Sequence, residues 1–340
     1  MVVPRAEGQS TGADAGALPG PPPVRWGVLG ASARAAQLAV LPALAASPKA
    51  RVASLASQSG AVPETFDAER VHDSYEALLA DPDVDAVYLS LPTRLHAEWT
   101  CRAADAGKHV LCEKPLARSA DEARTMAAAC DRRGVLLMEA YMTPFHPRTT
   151  VLEDILRSGQ LGQLRFARAV FTGVLADPGA NDWRLRPGGG ALLDLGVYCL
   201  APLLVAAQRL PVSVVATAAT GPGGVDASFS GWLDFGHGFS GAIECSFEAP
   251  ERQLVEVVGT EGAVTVHRAF TPGPDDTTVQ VRRRDGSADE VSSPGGDAYR
   301  GMIDHFCTVL QHGDRLRRPP AHSIELLVVL ETLRAAAAGP

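Results

Sequence analysis

At 340 residues, 46% apolar and 21% charged, the chain has an ordinary globular composition and a length suited to two domains. A formal net charge of -8 argues against a nucleic-acid surface, which needs a clustered excess of Lys and Arg. No apolar run approaches the ~20 residues that span a bilayer. The six cysteines (Cys101, Cys112, Cys130, Cys199, Cys245 and Cys307) form no C-x-x-C pair, so reduced thiols in a cytoplasmic protein are expected, not a disulfide scaffold or structural zinc.

Residues 1–23 are rich in Gly, Ala and Pro, end in Pro21-Pro22-Pro23 and lack the apolar core of a secretory signal; they read as a disordered tail. Strand-like and helix-like segments then alternate. Strands are expected at 24–29, 51–57, 86–90, 109–111 and 135–138, with helices from the Ala/Leu-rich stretch reaching Ser47 and at 73–79, 96–106 and 119–133, the last two closed by Gly107 and Gly134. Regular β-α alternation with nearly continuous apolar strands implies a parallel sheet covered on both faces. From about residue 147 the rhythm changes. A helix at 149–157 precedes longer alternating strands at 164–172, 227–235, 239–247, 254–259 and 263–268, and helices at 297–311 and 323–338 close the chain. The expected fold class is α/β: a Rossmann-type parallel sheet over 24–146, then an α+β domain over 147–340 with a large, mostly antiparallel open sheet.

Gly27-Val28-Leu29-Gly30-Ala31-Ser32-Ala33 follows the first strand and opens a helix. Small residues there let the backbone approach a pyrophosphate, and the helix N-terminus supplies free N–H groups. The motif has two of the three usual glycines, and a tight strand-to-helix turn is the alternative reading; its place in the first β-α unit favours a dinucleotide. The second strand ends Ser57-Gln58-Ser59 with no carboxylate to hold ribose hydroxyls, which favours NADP while leaving NAD possible.

Three further segments carry a resemblance: Leu91-Pro92-Thr93-Arg94-Leu95-His96, running on through Gly107-Lys108-His109-Val110 to Glu113-Lys114-Pro115; Glu139-Ala140-Tyr141 through His146-Pro147; and Asn181-Asp182-Trp183-Arg184 with Gly188-Gly189-Gly190 and Asp194 to Tyr198. Together they resemble the glucose–fructose oxidoreductase/inositol dehydrogenase (Gfo/Idh/MocA) family over about residues 24–335. The resemblance implies that Lys114 lies beside the nicotinamide, with Pro115 in a cis bond. It also makes Asp194 and Tyr198 the family's Asp-x-x-x-His/Tyr pair. Tyr at the second position is similar to nucleotide-sugar ketoreductases and to dihydrodiol and aldose dehydrogenases.

The chemistry asks for these residue types. Hydride transfer to a carbonyl must be matched by a proton on oxygen, so a general acid is required. A tyrosine, with an ordinary pKa near ~10, is expected to need a neighbouring cation to work near neutrality. Lys114 is the candidate for that cation and for polarising the carbonyl. Tyr198 is assigned as proton donor, with Lys114 as the alternative donor; Asp194, one helical turn away, would contact a substrate hydroxyl or orient the lysine. Tyr198 capped by Asp194 in the core is the competing structural reading. Cofactor contacts are expected from Gly27, Gly30, Ser32, Ala33, Ser57, Gln58, Ser59, Leu91, Pro92, Thr93, His96, Glu113 and Lys114. His96 stands evenly between packing and ligand contact. Tyr141, Trp183 and Arg184 are expected at the substrate, Arg184 with a loop ion pair as its other reading. His146 marks the domain junction, and no metal is expected.

The expected activity is NADPH-dependent reduction of a sugar ketone, specifically by a dTDP-3-keto-6-deoxyhexose 3-ketoreductase. An NADP-dependent aldose 1-dehydrogenase or trans-dihydrodiol dehydrogenase is the alternative, and a non-catalytic dinucleotide-binding regulator the remote one. The substrate is a sugar or nucleotide sugar. The second sheet is expected to build a homodimer or homotetramer.

Overall fold

Of the first six strands, Val24–Leu29, Ala86–Leu89 and Leu137–Ala140 are short and almost wholly buried, as a sheet covered on both faces requires. The computed structural model describes residues 20–57, 68–175, 182–221 and 223–339. Strands β1 (Val24–Leu29), β2 (Ala50–Ala56), β3 (Arg70–His72), β4 (Ala86–Leu89), β5 (His109–Glu113) and β6 (Leu137–Ala140) form one parallel sheet in the order 3-2-1-4-5-6. The order reverses between β1 and β4, so a crevice opens above their carboxyl ends, where ligands of such sheets bind. Helices α1 (Leu41–Ala46), α2 (Tyr75–Leu79), α3 (His96–Asp105) and α4 (Ala120–Arg133) connect the strands. Ser119 caps α4 by accepting from Glu122 N, and Gly134 ends it at a φ of 65°, as its sequence implies.

One departure lies in the helix after β1. Residues 36–40 wind as a π turn before α1 begins at Leu41. Pro42 has no N–H to offer the carbonyl four residues back, which interrupts the regular ladder there.

Helix α5 (Pro147–Arg157) leads into the second unit. Its sheet has eight strands: β7 (Leu164–Thr172), β8 (Ser213–Thr220), β9 (Asp226–Asp234), β10 (Ser240–Ser246), β11 (Arg252–Gly259), β12 (Gly262–His267), β13 (Thr278–Arg283) and β14 (Ala288–Ser292), in the order 14-13-12-11-7-10-9-8. All neighbours are antiparallel except β7 and β10. Helix α6 (Val197–Ala207) packs on one face. The other face presents Phe166, Trp232 and Val215 at 42%, 46% and 67% exposure, beside the Arg168–Glu244 ion pair.

Four strands lie beyond those expected. β3 has three residues; β8 is an Ala/Thr-rich edge; β13 and β14 make a charged hairpin at the opposite edge. Edge strands carry polar residues that discourage further pairing, which erases the alternation used to recognise them. Of the two terminal helices, α7 (Ala298–His312) packs against the first sheet's layer, while α8 (Pro320–Ala337) bridges α4 and β8 of the second sheet. Phe306 of α7 packs on Trp26 at 5.2 Å, Ser47 donates to Asp304 at 2.5 Å, and Ala120 N of α4 donates to Glu331 of α8 at 2.8 Å. A parallel sheet needs helices over both faces, and the chain's end supplies part of that cover.

Candidate active site

The dinucleotide crevice is built from backbone. Gly30 has a φ of 81°, and a Cβ there would stand 2.3 Å from the Ser90 carbonyl at the end of β4, so no other residue fits. Gly30 N and Ala31 N both donate to Ala56 O, tying the loop to β2. Helical winding begins at residue 34, directing free N–H groups of the first turn toward the loop, where an anion is stabilised. Gly27 serves packing: a Cβ there would lie 2.6 Å from Leu78. Ser57 is buried and donates to Ser32 across the crevice at 2.9 Å. Gln58 and Ser59 lie outside the described residues. This cradle fits a dinucleotide pyrophosphate: Gly30, Ala31, Ser32 and Ala33 would hold it, and Leu91, Pro92 and Thr93 after β4 would flank the ring end.

The candidate catalytic cluster joins residues 80 positions apart. Lys114, just past the carboxyl end of β5, donates to Asp194 Oδ1 at 2.5 Å and to the Asp194 carbonyl at 3.1 Å. Both side chains are largely buried, at 17% and 9% exposure. The Lys114–Pro115 peptide is cis, as the resemblance implies. Lys114 Nζ also lies 4.9 Å from the Tyr198 ring centroid. The contact matches the lysine-orienting reading of Asp194.

Asp194 sits in a π turn, Leu192–Gly196, that runs directly into α6, where Tyr198 is the second residue. The turn is anchored by Asp226, which accepts from Leu192 N at 2.6 Å, and Gly190 leaves room for that carboxylate: a Cβ there would stand 2.1 Å from its oxygen. Tyr198 is wedged edge-on between Tyr141 and Phe171, with Phe270 tilted against it at 6.0 Å.

One electrostatic expectation is corrected. Lys114 was expected to acidify Tyr198, yet burial, followed by the nearby Tyr299, Glu113 and Asp194, pushes the hydroxyl well above the ordinary phenol range. The ammonium is committed to the Asp194 carboxylate and so does not dominate the ring's environment.

The other expected residues divide. Glu113 accepts from the Tyr88 hydroxyl and from Lys114 N, and burial pushes its carboxyl up; it braces the strand end that carries the lysine. His96, at the start of α3, is 1% exposed, with Nδ1 3.0 and 3.2 Å from the Pro115 and Leu116 carbonyls and Nε2 2.8 Å from that of Leu91. All its polar contacts are backbone carbonyls, so it clamps the two crevice loops together, the packing role of its two readings. Tyr141 is brought against Tyr198 at 5.1 Å. Arg184 is paired with Asp182, Nε to Oδ1 at 2.9 Å and Nη2 to Oδ2 at 2.5 Å, which is its loop reading; Trp183 begins the same short turn. His146 caps α5 by accepting from Arg148 N.

Two functional supports escaped the sequence reading. Asp226 is one; Glu139 is the other. Glu139 is 3% exposed, accepts from Leu116 N at 2.8 Å and from Ser323 at 2.7 Å, and so fixes the turn that follows Lys114-Pro115. An acid inside the apolar run Leu136-Leu137-Met138-Glu139-Ala140 was the available signal for the latter.

A switch-point crevice lined by a glycine turn, with a lysine–aspartate–tyrosine cluster at its carboxyl end, defines a dinucleotide-dependent oxidoreductase. Residues 24–141 match the oxidoreductase family with an NAD-binding Rossmann fold, and residues 150–265 match the GFO/IDH/MocA C-terminal domain. The chain belongs to the Gfo/Idh/MocA oxidoreductase family. It is 40% identical to a dTDP-3,4-didehydro-2,6-dideoxy-alpha-D-glucose 3-reductase of Streptomyces violaceoruber over 283 residues, covering 80% of this chain and 81% of the relative. A D-xylose 1-dehydrogenase (NADP(+)) of Haloferax volcanii is 35% identical over 319 residues, covering 91% and 95%. The fold superposes at a TM-score of 0.83 on KijD10, a 3-ketoreductase from Actinomadura kijaniata solved with NADP and TDP-benzene, which is 33% identical with 92% and 98% covered.

Proposed function

We propose that the protein is an NADP-dependent reductase that delivers hydride to the ketone of a dTDP-linked 3-keto-6-deoxyhexose. The observation that carries the reading is Lys114 held 2.5 Å from Asp194 and over the face of Tyr198, whose burial keeps its proton in place. The reduced nicotinamide, when bound, supplies the hydride. The Lys114 ammonium meets the negative charge that develops on the ketone oxygen, where a preoriented cation contributes most. Tyr198 gives its proton to that oxygen, the C=O becomes CH–OH, and the phenolate recovers a proton from solvent. Asp194 holds the lysine charged and aimed. The neutral end of β2 at Ser57 supports NADP.

A second reading, oxidation of a free aldose at C1, is favoured by the similarity to the xylose dehydrogenase. Following nicotinamide absorbance separates the two. Turnover of NADPH with a dTDP-keto-sugar and none with NADP plus free aldoses supports the reductase, and the opposite pattern moves the protein to the dehydrogenase branch. The exposed sheet face of Phe166, Trp232 and Val215 supports assembly as a homodimer or homotetramer, and the six unpaired cysteines suit a cytoplasmic setting.

A further inference from the structure

Behind the catalytic cluster lies a second cavity of about 430 Å³, between α5, α6, strands β11 and β12 and the turn before α8. Lys114, Asp194 and Tyr198 do not line it; Tyr141 and Phe270 do, and both touch Tyr198 from the other side. Its body is apolar, formed by Leu152, Leu156, Ala201, Val205, Val255 and Val266. Four arginines, Arg148, Arg157, Arg317 and Arg318, line it. Arg157 and Arg317 share Glu153, at 2.7 and 2.9 Å, and Arg157 also pairs with Asp154 at 2.6 Å, so these two are neutralised. Arg148 and Arg318 remain, at 5% and 7% exposure. Arg148 donates to the Arg268 carbonyl at 2.7 Å. Arg318 stacks over Tyr141 at 4.7 Å, its nearest carboxylate oxygen belongs to Glu139 at 3.5 Å, and its buried Nε has no hydrogen-bond partner among the described residues. Glu139 already accepts from Leu116 and Ser323.

Arg318 stands in the wall of a hollow of small-molecule size, nearly buried and with its Nε unpartnered among the described residues, a setting suited to an anion. We propose that this cavity is a second, non-catalytic binding site for an amphipathic anion: a carboxylate, sulfonate or phosphate ester whose oxygens meet Arg318 and Arg148 and whose aryl or alkyl body fills the space between Leu152, Val205 and Val266. A neighbouring cavity of about 360 Å³ shares Ala201, Val205, Arg318 and His322, so the site continues along α6 and accepts a ligand longer than one ring.

The test reads binding and not turnover, so it stands apart from the identity of the catalytic substrate. Full-length protein saturated with NADP is titrated with anilinonaphthalene sulfonate, and its fluorescence is compared with that of the uncharged N-phenylnaphthylamine. One sulfonate should bind per chain, with the neutral dye about tenfold weaker. Arg318→Met should weaken the sulfonate by about tenfold. Val205→Trp, at a half-exposed position that leaves every charge in place, should remove binding by filling the cavity. Equal affinity for both dyes, or unchanged binding in Val205→Trp, overturns the proposal. Competitive displacement of the dye by a dTDP-sugar that the enzyme turns over also overturns it, by making the cavity part of the catalytic cleft.

Discussion

The two sheets solve different problems with the same chain. The first is covered on both faces, so its only usable surface is its rim, and there the function is built from backbone: Gly30, the loop after it, and carbonyls gathered by His96. The second is covered on one face, and its contribution to the site is made of side chains, with Tyr198 packed among Tyr141, Phe171 and Phe270. A backbone site tolerates change in most side chains but not in the glycine that shapes it. A side-chain site can be altered one group at a time.

The comparison is sharpened most by Lys114, which belongs to the first sheet but acts in the second sheet's cluster. Lys114→Ala should lower turnover by about 10³-fold, since both an oriented cation and Asp194's partner are lost. Activity within tenfold of the parent, with an unchanged melting curve, would break the assignment. Tyr198→Phe keeps the ring packing and removes the proton, so kcat should fall about 10²-fold with KM little changed. The parent's reductive rate should also stay flat past the ordinary phenol pKa, because a raised pKa keeps the donor protonated; an alkaline limb centred near pH ~9 would point to another acid.

Gly30→Ala tests the backbone side. Both the positive φ and the Ser90 carbonyl oppose a Cβ, so dinucleotide affinity should drop at least tenfold and stability by about 1–3 kcal/mol, read by cofactor titration and thermal melting. On the open face of the second sheet, Trp232→Glu should shift the sedimentation profile toward monomer while leaving NADPH affinity unchanged; a parent already monomeric at micromolar concentration removes the oligomer.

The smallest expected effect lies at the far edge of the first sheet. Burial raises the Asp81 pKa, but hydrogen bonds from Asp83 N, Ser54, Arg70 and His72 outweigh it and hold the carboxyl well below its ordinary value. A depressed folded-state pKa contributes stability that is present above pH ~4 and lost as the pH falls through the folded value. Asp81→Asn should therefore cost on the order of 1–3 kcal/mol at neutral pH and flatten the acid side of the stability profile.

The local chemistry of the first sheet was readable along the chain. Apolar strands, caps at Ser119 and Gly134 and the glycine turn after β1 depend on neighbours a few residues away. The edge strand β8 and the charged β13–β14 hairpin at the opposite edge were not, because strands at a sheet's edge carry little of the alternation that marks a half-buried strand. The π turn under Asp194 escaped as well: it depends on Asp226 reaching across from β9 to Leu192 N, a partner 34 residues distant.

By itself the sequence determined the parallel then antiparallel order of the sheets and the dinucleotide turn, since these rest on periodicity and on glycine's φ, while Lys114, Asp194 and Tyr198 were singled out by the family resemblance of their motifs. The tertiary structure alone decided that Asp194 grips the lysine instead of capping the tyrosine, that Tyr198 is buried among aromatic rings, that α7 packs on the first sheet's layer while α8 bridges α4 and β8, and that Arg318 lines a cavity with its Nε unpartnered among the described residues. Each of these depends on burial and on distances between groups tens to hundreds of residues apart, and neither quantity is written in local order.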